Sequence, residues 1–248
     1  MRNLWHLTAR ELISFWVSTI AYAVGALFLL LQGLVFWMLV AVLNDPRVDP
    51  GWTMSQFFFG GTFFFWFSIL LICPLLTMRT FSEEKRTGSI ELLLTAPVTD
   101  AQVVVSKFLG AWITYLLLWA PTLAFFVWLR GQAAFAWSPV WTGYLGVAAL
   151  GAPLLAIGIL ASSLTRNQII AAVLAFVVIL LLFSVGILEV FIHDPESLAT
   201  IKYLSFMEHM RDASKGFLDT RPLALYASLT VACLFLTGRL LGSPRWRA

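Results

Sequence analysis

Charge is what this sequence has least of. Of its 248 residues, 16 are lysine or arginine and 13 are aspartate or glutamate, 12% in all, against about 25% in an ordinary soluble domain. With 60% hydrophobic residues, there is too little polar surface to cover a water-soluble globule. Cysteine is scarce too. Cys73 and Cys233 both fall inside apolar runs and have no metal-ligand spacing, so neither a disulfide framework nor a zinc site is expected. No GxxxxGKS or GxxxxGKT loop occurs, which excludes ATP hydrolysis by that route on this chain. HExxH, GxSxG and CxxC are also missing. Ionisable groups are absent from the interiors of the apolar runs, where ion-coupled carriers usually place one. Glu189 comes nearest, and it stands at the end of a run.

What the chain does have is long stretches without charge. They extend over 12–44, 50–78, 108–129, 131–165 and 167–188, with a shorter sixth over 222–238. A bilayer core needs roughly 20 apolar residues per helix. The expected fold is therefore an all-α integral membrane domain over 1–248, with six spans near 18–43, 57–77, 104–129, 140–163, 168–190 and 223–241. The first run is far longer than the roughly 7–15 apolar residues of a signal peptide, so it reads as a span and not as a cleaved leader.

Six spans place both termini on one side. That side carries Arg2, Arg10, Arg79, Lys85, Arg86, Lys107, Arg166, Arg239, Arg245 and Arg247, ten cations; Arg47, Arg130, Lys202, Arg211, Lys215 and Arg221, six, lie opposite. The excess predicts cytoplasmic termini. Before the first span, Asn3, His6, Arg10 and Ser14 recur at helical spacing among Leu4, Leu7, Leu12, Ile13 and Trp16, which predicts an amphipathic interface helix over 3–15. Pro74, Pro121 and Pro153 are candidates for kinks lining a pathway. Gly143, Gly146, Gly151 and Gly158 would let the fourth span approach another helix closely, within the subunit or between two subunits.

In the longer outer loop, Ser205 and Glu208 have capping-box spacing. Phe206, Met210, Ala213 and Phe217 then recur at helical spacing, and Gly216 is placed to end the helix. The pairs His193-Asp194 and Glu208-His209 admit a second reading, a metal or acid–base site on the outer face.

The most unusual stretch is RTFSEEKRTGSIELLLTAPVT, residues 79–99, which sets five charges, Arg79, Glu83, Glu84, Lys85 and Arg86, within a few residues of one another between two apolar runs. Thr80 and Glu83 have capping-box spacing, so a helix is expected to about Arg86. Gly88 breaks it, Ser89 can cap a second short helix with Ile90, Leu92, Leu93 and Leu94 as its apolar face, and Pro97 stops that. The result is a bent helical element with an exposed EEKR, fastened to two spans.

FSEEKRTGSIELLLTAPVTDAQVVVSKFLG resembles the coupling region of ABC-2 type permeases, most nearly the gliding-motility (GldF-like) type, and SFMEHMRDASKGFLDTRPLALYASL is similar to the stretch before their last span. The resemblance covers nearly the whole chain. It implies a permease subunit that is not itself an enzyme, with ATP and Mg on a separate ABC ATPase subunit and no cofactor here. It further implies a second permease subunit, identical or related, in a bacterial inner membrane, and no nucleic acid. Carried over by position, Glu83, Glu84, Lys85, Arg86, Thr87, Gly88, Ser89 and Glu91 would contact the ATPase. The 162–168 loop, with Thr165, Arg166 and Asn167, would form a second contact. Residues 191–221, with Glu208 and His209, would form outer re-entrant helices. A membrane anchor that transmits force without moving a substrate is the competing function.

Overall fold

The computed structural model describes residues 2–45, 53–89, 99–132, 135–192 and 194–242, with only the backbone of 2, 3, 20, 190 and 195. Arg47, the second arm of the bent element (Ile90, Glu91, Leu92–Leu94 and Pro97), His193, Arg245 and Arg247 lie outside the described residues. The described residues are helical throughout, in twelve α-helices joined by turns. These are α1 Arg2–Val17, α2 Thr19–Asn44, α3 Met54–Phe58, α4 Phe63–Thr77, α5 Ser82–Thr87 and α6 Asp100–Trp119. After them come α7 Leu123–Arg130, α8 Ser138–Leu164, α9 Gln168–Ile187, α10 Pro195–Leu204, α11 Phe206–Lys215 and α12 Thr220–Leu241. Six segments are long and apolar enough to cross a membrane. They lie in α2, α4 with α5, α6 with α7, α8, α9 and α12.

Side-chain caps start many of the helices, taking up amide N–H groups that have no partner inside the helix. Thr53 with Gln56 and Thr99 with Gln102 form complete capping boxes. Thr62, Asn167, Asp194, Ser205 and Asp219 each accept from a backbone N–H of the first turn. These caps account for where the expected spans shift. The second span does not begin at 57, because α3 is a separate turn and Gly60, at φ 100°, breaks the chain before Thr62 starts α4. Thr99 moves the start of the third span back to Asp100, and a short 3-10 turn at Ala120–Thr122, holding Pro121, divides that span into α6 and α7. The fifth span ends at Ile187, followed by a 3-10 turn over Leu188–Val190. Pro74 and Pro153 remain inside α4 and α8.

The fourth span, α8, is the axle. It packs against α4, α6, α9, α11 and α12, and its four glycines decide the question of close approach. A Cβ at Gly151 would overlap the Tyr115 ring, and one at Gly158 would overlap the Thr77 side chain. Gly143 meets Phe59 in the same way, and a Cβ at Gly146 would lie 2.8 Å from the Cβ of Ala213. All four contacts are made within the chain. Side chains on α2, α9 and α12 such as Leu30, Trp37, Leu181, Val231 and Phe235 stay exposed, as lipid-facing groups would.

Candidate functional site

The stretch after α4 folds into an elbow seated against the end of α8. Its N-terminus is not capped by Thr80. Phe81 is the N-cap residue, with no side-chain bond of its own, so the expected Thr80–Glu83 box does not form. A residue 80 positions away takes the role. Ser162 Oγ, fully buried on α8, accepts from Phe81 N at 3.0 Å and Ser82 N at 3.1 Å and donates to Met78 O at 3.1 Å. One hydroxyl therefore closes both the end of α4 and the start of α5. Ser82 Oγ donates to the same Met78 carbonyl. Lys85 then turns inward and donates to Ser163 O at the end of α8.

The opposite side of the elbow is ionic. Lys107 Nζ on α6 lies 2.6 Å from Glu84 Oε1 and 3.2 Å from Glu11 Oε1 on α1, with its side chain 2% exposed. Arg79, just before the elbow, donates to Gln168 Oε1 at 3.1 Å and Ser18 Oγ at 3.3 Å, which joins the elbow to the starts of α9 and α2.

The expected exposed EEKR is therefore corrected. Glu84 and Lys85 point into the protein, because α6 and α8 offer them a buried cation and a free carbonyl. Glu83 and Arg86 remain on the open side, 3.7 Å apart, a pair worth at most about 1 kcal/mol at such exposure. Arg86, Thr87, Gly88 and Ser89 form the exposed tip. Gly88, at φ 73°, ends α5 in the left-handed conformation that favours glycine, as expected. Thr87 Oγ1 donates to Glu83 O at 3.0 Å and pairs with Ser89 Oγ at 2.9 Å. Glu91 lies outside the described residues.

The second expected contact adjoins the first. Thr165 ends α8 and Asn167 caps α9, accepting from Ile169 N at 2.9 Å, while Asn167 N donates to Thr165 Oγ1 at 3.1 Å. Arg166 is exposed between them. Through Ser162, Lys85 and Arg79, the elbow and this loop form one continuous end of the bundle.

At the other end, Ser205 caps α11 and Gly216, at φ 101°, stops it. Phe206, Met210 and Ala213 are buried, but Phe217, beyond the stop, is 70% exposed. Glu208 pairs with Arg211 at 2.6 Å. His209 Nδ1 is 2.9 Å from Tyr226 Oη on α12, and burial pushes its imidazolium pKa down. Asp194 caps α10 through Ser197 N, and this bond holds its carboxyl below the usual range. Of the residues in the outer acid–base reading, Asp194, Glu208 and His209 are engaged in capping and pairing and His193 lies outside the described residues, and no cluster of three His, Cys, Asp or Glu stands ready for a metal among the described residues. Sequence reasoning missed Ser162 as a trans cap and Lys107 as a shared cation. It also passed over Gln32, a fully buried amide that donates to Ser68 Oγ at 2.6 Å, visible beforehand only as an amide within an apolar run.

A family model described as ABC-2 family transporter protein matches residues 50–207, a range that includes the elbow and the 162–168 loop. Heme exporter protein B of Rhodobacter capsulatus is 35% identical over 105 residues, 41% of this chain and 47% of that protein. The matched stretch thus spans about half the length of that curated relative.

Proposed function

The chain belongs to the ABC-2 family of transporter membrane proteins, and on that premise we propose that it is the permease subunit of an ATP-driven transporter, one membrane domain whose elbow receives the stroke of a separate ATPase. The observation that carries this reading is the asymmetry of the elbow. Its root is bound to the fourth span through Ser162 and Lys85, while its tip, Arg86 to Ser89, is exposed and, among the described residues, bonded within the elbow itself. A force applied at the tip reaches the second, third and fourth spans through bonds and not through loose chain.

In this mechanism both termini, the elbow and the Thr165–Asn167 loop face the cytoplasm of a bacterial cell. Closure of two ATP-loaded partner subunits displaces the tip, and Glu83, Arg86, Thr87, Gly88 and Ser89 make the contact together with Arg166 and, on the adjoining segment, Glu91. Glu84 and Lys85 act from behind, holding the elbow to the bundle. Two permease subunits form the pathway, and the direction is export. α1 lies along the membrane surface, with Trp5, Ile13 and Val17 turned outward beside His6 and Arg10, and α10 and α11 are the re-entrant helices of the outer leaflet. The gliding-motility subtype rests on the motif likeness alone and names no substrate. Heme, named for the relative, is the first substrate to test.

The experiment is a charge reversal at the two charged residues of the open side, Glu83→Lys with Arg86→Glu, which also gives up the 3.9 Å pair between Glu83 and Arg79. The variant should insert and fold normally, yet lose at least tenfold in copurification with the P-loop ATPase. Undiminished ATPase binding and transport would contradict the reading. Normal binding without any ATP-driven movement would favour the force-transmitting anchor.

A further inference from the structure

Lys107 joins three helices that sequence keeps far apart. Its ammonium is shared between Glu84 on the elbow and Glu11 on α1 and lies 5.2 Å from the centre of the Phe81 ring. Three residues further along α6, a Cβ at Gly110 would meet the Cβ of Glu11 at 3.0 Å, so α1 is seated directly on the third span at this point. The side of α1 turned to α6 carries Thr8 and Glu11, with Thr8 donating to Leu4 O at 2.9 Å. A helix that served only as a surface anchor has no need of a carboxylate on its inner face.

The two sides of the elbow are built differently. Toward α8 its polar groups are taken up by Ser162 and Ser163. Toward α1 it borders a cavity of about 350 Å³ lined by residues that include Ser14, Arg79, Glu84 and Thr114. Glu84 Oε2 has no hydrogen-bond partner among the described residues. The elbow therefore has room to shift on this side. Drawing Lys107 away from Glu84, however, would leave that carboxylate without its closest cation, while Glu11 is also held by Arg10 at 3.2 Å.

We propose that Lys107 is a positioning residue that makes α1 a driven element. When the elbow is displaced, the shared ammonium carries α1 with it, so the stroke reaches the N-terminal helix as well as the spans. This inference rests on the coupling function proposed above.

The test uses the complex with its ATPase, purified from host membranes into nanodiscs, with Cys73 and Cys233 replaced by alanine. Spin labels are placed at His6→Cys or Thr87→Cys, each paired with Ser138→Cys at the far end of α8, and distances are read with and without ATP and Mg. In the parent complex both distances should change. Lys107→Met should abolish the change at residue 6 and leave the change at residue 87. Glu11→Gln, a milder substitution that weakens only the α1 arm, should at least halve the residue 6 change, and it serves if the Lys107 variant fails to assemble. A residue 6 distance that stays fixed in the parent while residue 87 moves would overturn the inference, as would one unaffected by either substitution. A residue 87 distance that ignores ATP in the parent would overturn the coupling function itself, and the inference with it.

Discussion

Replacing Ser162 by alanine removes one oxygen and should undo the elbow without damaging the span that carries it. The hydroxyl accepts from Phe81 N and Ser82 N and donates to Met78 O. Met78 O keeps Ser82 Oγ as a donor, so the loss falls on two buried N–H groups. Each buried donor left unpaired costs about 1–3 kcal/mol, and the second partly relaxes with the first, so the elbow should lose about 2–4 kcal/mol. At about 1.4 kcal/mol per tenfold, the open population rises roughly 30- to 1000-fold. Hydrogen exchange in nanodiscs reads this directly as lost protection at Phe81, Ser82 and the following turn, with α8 unchanged. Ser163→Ala is the control. Among the described residues its hydroxyl bonds only to Leu160 O in its own helix, and Lys85 uses its carbonyl, which survives the substitution. Equal exchange in the two variants, or protection lost evenly along α8, would refute the trans cap.

Two further outcomes follow from packing and from titration. Gly151→Ala drives a methyl into the Tyr115 ring and should cost about 1–3 kcal/mol, seen as a lower midpoint of thermal unfolding in detergent, whereas Gly33→Ala, inside α2 with nothing within 4 Å among the described residues, should hold or raise the midpoint, since alanine suits a helix interior better than glycine. His209 has a folded pKa below its ordinary value of 6.5. Its neutral form therefore contributes stability that is fully present above that value and is lost as pH falls through the folded pKa. The unfolding midpoint should fall between pH 7 and pH 5, and His209→Gln should flatten that fall; an unchanged slope would contradict the assignment.

The spans and the ends of α5 and α11 were legible because their signals are local. Apolar runs, Gly88, Gly216 and the Ser205 cap act within a few residues of themselves. Span starts were misread where a cap such as Thr62 or Thr99 outweighed hydropathy. The inner half of the elbow was not legible, since Ser162 reaches it from 80 positions away and leaves no periodicity in either segment. Lys107 read as an ordinary cation at the edge of a span. Only the packing of α1 against α6, with Gly110 giving close approach, encloses it and turns Glu84 inward. Thr80 and Glu83 had the spacing of a capping box, but a buried hydroxyl from α8 occupied the place first.

The contact at the tip of the elbow can be tested in living cells. A photo-crosslinking residue at Thr87, on the exposed tip, should capture a soluble protein carrying a GxxxxGKS or GxxxxGKT loop, and the same probe at Trp37, on the exposed face of α2, should not. Capture of such an ATPase from Thr87 is the result this account predicts. Its absence there, in cells where the complex is assembled and active, would contradict it.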